Sequence, residues 1–337
     1  MTRIVFLLLG TTVLGLLLWR LGPAEILHTF ARLGWHSLPI LVCYVAYQAM
    51  RALSLRLSIL RWRQVSFGDA FRIRLSGDAM QSLTFTGPFL GEPTKAWLLK
   101  SRGLTLTEGF AATLANYLIN LLLCSLMSIG GLIYLLRAAV LPPPAAGAAR
   151  GLVYASIAFF VTAVVAVGLR FYLIGAVIDR LGRLGVLRGR LKPDVPAINR
   201  MEDLLLGVLR DRPARAAAII AFELAGQVAL VLEIAWVLYA LGLAVPAGYP
   251  LVIEAAAKFV SMAFFFVPLQ VGASEGTFAL IFGALGLPAA AGFSLAFFRR
   301  LRSLLIASAG LAAMNALTRR VGAPDASPSS QTPEPRA

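Results

Sequence analysis

Histidine and cysteine are nearly absent: the 337-residue chain has two of each. His28 and His36 fall in one short connection, and Cys43 and Cys124 each sit inside an apolar run. No disulfide framework, thiolate site or histidine metal centre follows from so few ligands, so no metal is expected. Charged residues are also scarce, 14% of the chain against about 25% in soluble domains. That scarcity argues against a soluble enzyme, a disordered chain and a nucleic-acid binder. No nucleotide-binding motif occurs, so no cofactor and no ATP drive are expected within this chain. A membrane-embedded transferase would need a convergent acid, base or metal group. No suitable His or Asp cluster stands out, and an enzyme is not expected.

Apolar residues are abundant, at 59%, and mean hydropathy is +0.80. The net charge of +15 is spread between long apolar runs, as in a multi-pass membrane protein beside an acidic leaflet. A span needs about 20 apolar residues. Six runs qualify, roughly 4–21, 38–59, 108–136, 151–175, 214–241 and 289–317. The first lacks a small-x-small cleavage site and reads as a true span rather than a signal peptide. Two further stretches, 78–100 and 250–287, are apolar but broken by Gly, Pro and charge.

Lys/Arg bias orients the spans. Residues 51–74 carry Arg51, Arg56, Arg61, Arg63, Arg72 and Arg74 against Asp69, and residues 180–215 carry nine basic residues against four acids. The connections 22–37, 137–150 and 242–249 are nearly uncharged. Both basic segments are therefore expected in the cytoplasm, with both termini, and 180–215 against an anionic phospholipid surface. The Pro/Ser-rich tail, 321–337, reads as disordered.

The two broken stretches resemble each other. Measured from Glu92 and Glu275, the pairs Gly103-Leu104 and Gly286-Leu287 coincide, as do Gly109-Phe110 and Gly292-Phe293, at one offset of 183 residues. The stretches are entered from opposite sides of the membrane, which makes an inverted-topology repeat, a common plan of secondary transporters. Repeat one is placed at about 1–136 and repeat two at about 151–320. Each break exposes backbone groups that must line a polar cavity or be buried in protein.

Arg299, Arg300 and Arg302 fall near the middle of the last span, where one charge costs at least about 2.5–3.5 kcal/mol. Guanidinium forks match phosphate oxygens, so the three are candidate headgroup ligands. Available acids are Glu275, Glu254, Glu223, Glu233 and Glu92. Glu92 and Lys95 share a helix face, as do Asn116 and Asn120. Helical spacing puts Arg299 and Arg302 on one face, toward Glu275, with Arg300 partly aside. Thr105 and Glu108 form a capping box at the start of the third span.

The segment Gly87-Pro88-Phe89-Leu90-Gly91-Glu92-Pro93-Thr94-Lys95 resembles the first hallmark of the lysylphosphatidylglycerol synthase transmembrane region, also called the flippase-like domain. Pro268 to Glu275 resembles its second, though Gln270 and Val271 replace part of the usual glycine run before Gly272. Leu295 to Arg302 resembles its third. The likeness covers roughly residues 3–317. Leu232-Glu233 and the Arg-rich middle resemble its hopanoid-associated branch. What the resemblance implies is the flippase half of those synthases: an all-α, multi-pass inner-membrane protein of bacteria that translocates an amphipathic lipid. Its implied fold has about six full spans plus two re-entrant broken-helix pairs. Pro88, Gly91, Pro268 and Gly272 would support the site. Arg299, Arg300, Arg302, Glu275, Glu92, Lys95 and Asn116 would bind the substrate. Expected partners are membrane lipids and enzymes of lipid biosynthesis. Two other readings stay open: an ion-coupled transporter of a small solute using Glu223 or Glu233, and a scaffold for lipid-biosynthesis enzymes.

Overall fold

The computed structural model describes residues 34–84, 86–138, 143–168, 195–263 and 273–321. The expected span 4–21, the basic residues 180–194, Pro268, Gly272 and the tail from 322 lie outside the described residues. Among those described, all regular structure is helical. Ten α-helices follow in order: α1 Ser37–Ser58, α2 Phe67–Leu83, α3 Pro88–Lys100, α4 Leu106–Ala138, α5 Pro143–Gly168, α6 Val195–Arg210, α7 Pro213–Ala240, α8 Tyr249–Ala263, α9 Ala273–Ala284 and α10 Ala289–Val321.

Among the described residues, five helical segments are long and apolar enough to cross a membrane: Gly34–Ser58, Leu106–Ala138, Ala146–Val165, Pro213–Ala240 and Ala291–Thr318. Their polarity is inverted relative to a soluble protein. On α7, Leu224, Val228 and Leu232 are exposed while Glu223, Gln227 and Glu233 are buried. Lipid is as apolar as leucine, so nothing penalises the outer face, and polar groups collect where protein can pair them.

Local sequence accounts for the helix ends. Ser66 caps α2, accepting from the Asp69 backbone N–H at 3.1 Å. Thr105 and Glu108 form the expected reciprocal capping box: the Thr105 N–H donates to Glu108 Oε2 at 2.8 Å, and the Glu108 N–H to Thr105 Oγ1 at 3.2 Å. One boundary differs from expectation. The stretch 137–150 is expected as a connection between spans, yet α5 begins at Pro143. Proline suits a first helical turn, where its missing N–H leaves no bond unmade.

Both broken stretches are helix pairs. In the first, α2 and α3 are separated by residues 84–87, and Gly87 starts α3 with φ +53°. In the second, α8 ends at Ala263 and α9 begins at Ala273. Helices α1 and α7 pack along each other, α2 packs on α10, and α8 on α4. Within each stretch the first helix packs on the second, and the second on the following span: α2–α3–α4 and α8–α9–α10.

Matching glycines sit at matching joints. Gly103 and Gly286 follow α3 and α9 with φ +79° and +72°, a left-handed conformation that only glycine adopts without strain. A Cβ at Gly109 would come within 2.7 Å of the Ala96 carbonyl oxygen, and one at Gly292 within 2.5 Å of that of Phe278. Each long span thus starts backbone-to-backbone against the helix before it.

The core has a polar layer between apolar ones. One cluster joins Leu55 of α1 and Ile59 just beyond its end to Ile73, Met80 and Leu83 of α2 and to Leu304, Ala307 and Leu311 of α10. Another joins Ile40 of α1 to Val237 of α7, Val252 of α8, Phe282 of α9 and Leu295 and Phe298 of α10. Along α1 the residues between Ile40 and Leu55 include buried Gln48 and Arg51; along α10 the arginines lie between Phe298 and Leu304.

Candidate functional site

The polar layer is built from ion pairs between helices. Arg51 of α1 meets Glu223 of α7, Nε to Oε2 at 3.0 Å, and its Nη1 donates to the Tyr47 hydroxyl at 2.8 Å. Asn116 of α4 donates to Glu223 Oε1 at 2.9 Å and to Ser54 Oγ at 2.6 Å. Glu223 and Glu233 are fully buried. A buried carboxylate is tolerated only with such partners.

On α10 the helix runs unbroken through the three arginines, so they are mid-helix groups and not a span end. Arg299 Nη2 donates to Glu254 Oε2 of α8 at 2.6 Å, and its Nε lies 3.4 Å from Glu233 Oε1 of α7. Arg302 pairs closely with the same Glu233 oxygen and stacks over the Tyr44 ring, 3.7 Å from its centroid. Glu254 also holds Lys258, one turn along α8, at 3.0 Å. The acids that receive Arg299 and Arg302 are thus Glu233 and Glu254. Glu275 lies in the first turn of α9, with its side chain outside the described residues. Arg300 reaches Ser274 Oγ on α9 at 3.4 Å, and it faces the same cavity as its neighbours.

That cavity has a volume of about 280 Å³ and lies among α1, α2, α3, α8, α9 and α10. Among the described residues, five guanidinium groups line it, Arg51, Arg74, Arg299, Arg300 and Arg302, against one carboxylate, Asp78. Hydroxyls from Ser82, Ser261, Ser274 and Ser303 and the Gly87-Pro88 start of α3 complete the polar wall. Tyr44, Tyr47 and Phe278 form its aromatic part.

The sequence-expected residues separate into two groups. Arg299, Arg300, Arg302 and Pro88 line the cavity. Glu92 and Lys95 pair with each other at 2.7 Å, and Lys95 also stands 3.6 Å from Asp78. Together with Asn116 they lie behind the cavity wall, outside its lining. Gly91 serves packing, since a Cβ there would come within 3.0 Å of the Gly77 carbonyl on α2.

Two lining arginines belong to a basic stretch expected in the cytoplasm. Arg51 and Arg74 are buried, 7% and 2% exposed, and this corrects that part of the orientation argument. Arg56, Arg61, Arg63 and Arg72 remain against Asp69 in the 51–74 stretch. The missed signal was the i,i+4 pair Arg74 and Asp78, 3.3 Å apart, in a helix rich in small residues. Gln48 ties α1 to this pair through Asp78 at 3.2 Å.

Buried ionic layers, broken helix pairs and apolar outer faces define a helical multi-pass membrane protein. The family model for the lysylphosphatidylglycerol synthase TM region matches residues 3–310. The chain belongs to that family, whose function is lipid-related. Comparison with curated proteins and with solved structures gave no match.

Proposed function

We propose that this protein is a lipid translocase of the bacterial inner membrane, moving an amphipathic lipid with an anionic headgroup between leaflets. One observation carries the reading: among the described residues, a cavity amid the helices is lined by five arginines and one carboxylate. Its volume, about 280 Å³, sits at the lower edge of small-ligand pockets, about 300–1,000 Å³. That is room for a headgroup, with the acyl chains left among the helices and lipid. The reading is non-enzymatic and needs no cofactor. A polycyclic hopanoid-type lipid is one candidate within it, and the family membership supports lipid over soluble cargo.

The matching joints of α2–α3–α4 and α8–α9–α10 support an inverted repeat, with α1 and α7 as its central pair. In that plan both ends of 250–287 face the periplasm, both termini and the basic 180–215 segment face the cytoplasm, and that segment lies on an anionic leaflet. It could equally dock lipid-biosynthesis enzymes. Single cysteines at Tyr249 and Pro288, in a background without Cys43 and Cys124, should both react with an impermeant thiol reagent from outside. Labelling of only one breaks the repeat.

The ion-coupled rival needs Glu223 or Glu233 to carry a proton. Both carry arginine partners, which favours the lipid reading. The direct test is a proteoliposome assay with a fluorescent acidic phospholipid and an impermeant quencher. Wild-type protein should expose inner-leaflet probe above protein-free vesicles. The Arg302→Gln variant leaves Glu233 its contact with Arg299, so it should fold and lose most of the activity. Wild-type vesicles no faster than empty ones would defeat the proposal.

A further inference from the structure

We propose that the corner between α1 and α2, residues 59–67, binds the phosphate of an acidic phospholipid from the adjoining leaflet, between Arg56 and Arg63 around the Trp62 ring. None of these three residues lines the cavity, and the site does not depend on the translocase reading.

Three span ends define the level of the corner. The span Gly34–Ser58 ends here, and the spans Leu106–Ala138 and Pro213–Ala240 begin here. Two contacts bring the ends together. Arg61 Nη2 lies 3.2 Å from Glu108 Oε1 in the first turn of α4. Arg215 Nη2, in the first turn of α7, donates to the Ile59 carbonyl. Span ends that meet in this way mark the boundary between hydrocarbon and water. Trp62 is partly buried against the apolar cluster of α1, α2 and α10, and Phe67 is 40% exposed. Aromatic rings collect at this headgroup depth.

The charge at the corner lacks a counter-ion. Arg56 Nε donates to the Val65 carbonyl at 2.7 Å, which holds its guanidinium 5.1 Å from the centroid of the Trp62 ring. The exposed Arg63 stands 5.6 Å from the same ring. Two positive groups are thus held around one indole, and neither pairs with a carboxylate among the described residues. The nearby acids are engaged elsewhere: Glu108 by Arg61 and by its capping box with Thr105, and Asp69 by Arg102 at 2.6 Å. Residues 169–194 carry six basic residues against two acids, so that part of the chain offers no surplus of anions.

A cation–π contact holds a guanidinium in place without neutralising it. The Nη groups of Arg56 bond no described residue. A phosphodiester supplies the missing negative charge and accepts from planar guanidinium forks. Inorganic phosphate shares that chemistry. The level of the corner and its aromatic rings favour the lipid, whose acyl chains lie along the apolar outer faces of the spans.

Native mass spectrometry of the full-length protein in a neutral detergent tests this, with phosphatidylglycerol, phosphatidylcholine and inorganic phosphate as probes. Wild type should retain phosphatidylglycerol about tenfold or more tightly than phosphatidylcholine. Arg63 is exposed and holds no other element in place, so Arg63→Gln should fold as wild type does. It should weaken phosphatidylglycerol about fivefold, the share of one arginine beside an anionic surface. Arg56→Gln combined with Arg63→Gln should weaken it about twentyfold or more. Arg137→Gln removes the same charge from an exposed residue at the other end of α4, and should leave the affinity within about twofold. Equal retention of the two lipids by wild type overturns the proposal, as does wild-type affinity in Arg63→Gln. Equal losses in Arg63→Gln and Arg137→Gln also overturn it, by reducing the effect to net charge. Inorganic phosphate that displaces the lipid at equal concentration overturns the lipid and assigns the corner to a soluble anion.

Discussion

In the α2–α3 pair, acids and cations share one helical hairpin: Asp78 meets Arg74 and Lys95, and Lys95 meets Glu92. In the α8–α9 pair, Glu254 keeps Lys258 on its own helix and gives its other oxygen to Arg299 on α10. Contact of α2 with α10 includes the Ser76 hydroxyl donating to the Gly310 carbonyl at 3.1 Å and a backbone approach at Gly310. Charge in the first pair is settled locally. In the second it ties helices α7, α8 and α10 together. Two regions that look alike in sequence thus do different work, one presenting a rigid charged wall and the other holding the arginine helix in place.

The sharpest way to break this contrast is at Glu233. The Glu233→Gln variant leaves Arg302 without the carboxylate it pairs with and Arg299 with Glu254 alone. Loss of one partner of a buried ion pair costs about 3–5 kcal/mol, so folded yield by size-exclusion chromatography should collapse. Glu92→Gln leaves Lys95 its Asp78 contact and should lose much less. Equal yields for the two variants would erase the distinction. Combining Glu233→Gln with Arg302→Gln should recover more folded protein than additivity allows, since the stranded charge leaves with its partner.

Smaller effects test the backbone joints. A Cβ at Gly310 would collide with the Leu75 carbonyl of α2, and one at Gly131 with the Ala255 Cβ of α8. Gly310→Ala meets backbone, which cannot rotate away; Gly131→Ala meets a methyl and, at 3.2 Å, the Leu251 carbonyl. Overpacking of this kind costs about 1–3 kcal/mol, and Gly310→Ala should be the worse of the two in thermal melts. The smallest change expected is at Gly103 and Gly286. Neither has an atom near a Cβ position, so replacement by Ala should cost only the left-handed backbone conformation, about 1–2 kcal/mol. A large difference between these two variants would mean that the joints are not equivalent.

Much of the architecture was legible in the sequence, because long apolar runs and mid-span arginines have few other physical explanations. Thr105 and Glu108 were legible for the same reason: a capping box is local chemistry. Arg51 and Arg74 were not. A count of basic residues between spans treats every arginine near a span end as a loop residue, but α1 continues through Arg51 to Ser58. Arg74 lies in α2, whose sequence carries too many polar and small residues to stand out as an apolar run. The acids that hold Arg299 and Arg302 were visible as candidates. Choosing Glu233 and Glu254 among them required knowing that α7 and α8 pass beside α10.

The order in which the ribosome delivers the ionic layer has a consequence for insertion. Glu233 and Glu254 precede Arg299 and Arg302 in the chain, so the acids leave the ribosome before the arginine helix. A lone helix bearing three arginines at its middle is a poor substrate for lateral release into lipid. Segment α10 should therefore remain beside the insertion machinery until it docks against α7 and α8. A chain truncated after Val321 and carrying Glu233→Gln should stay crosslinkable to that machinery longer than the same chain with Glu233 intact.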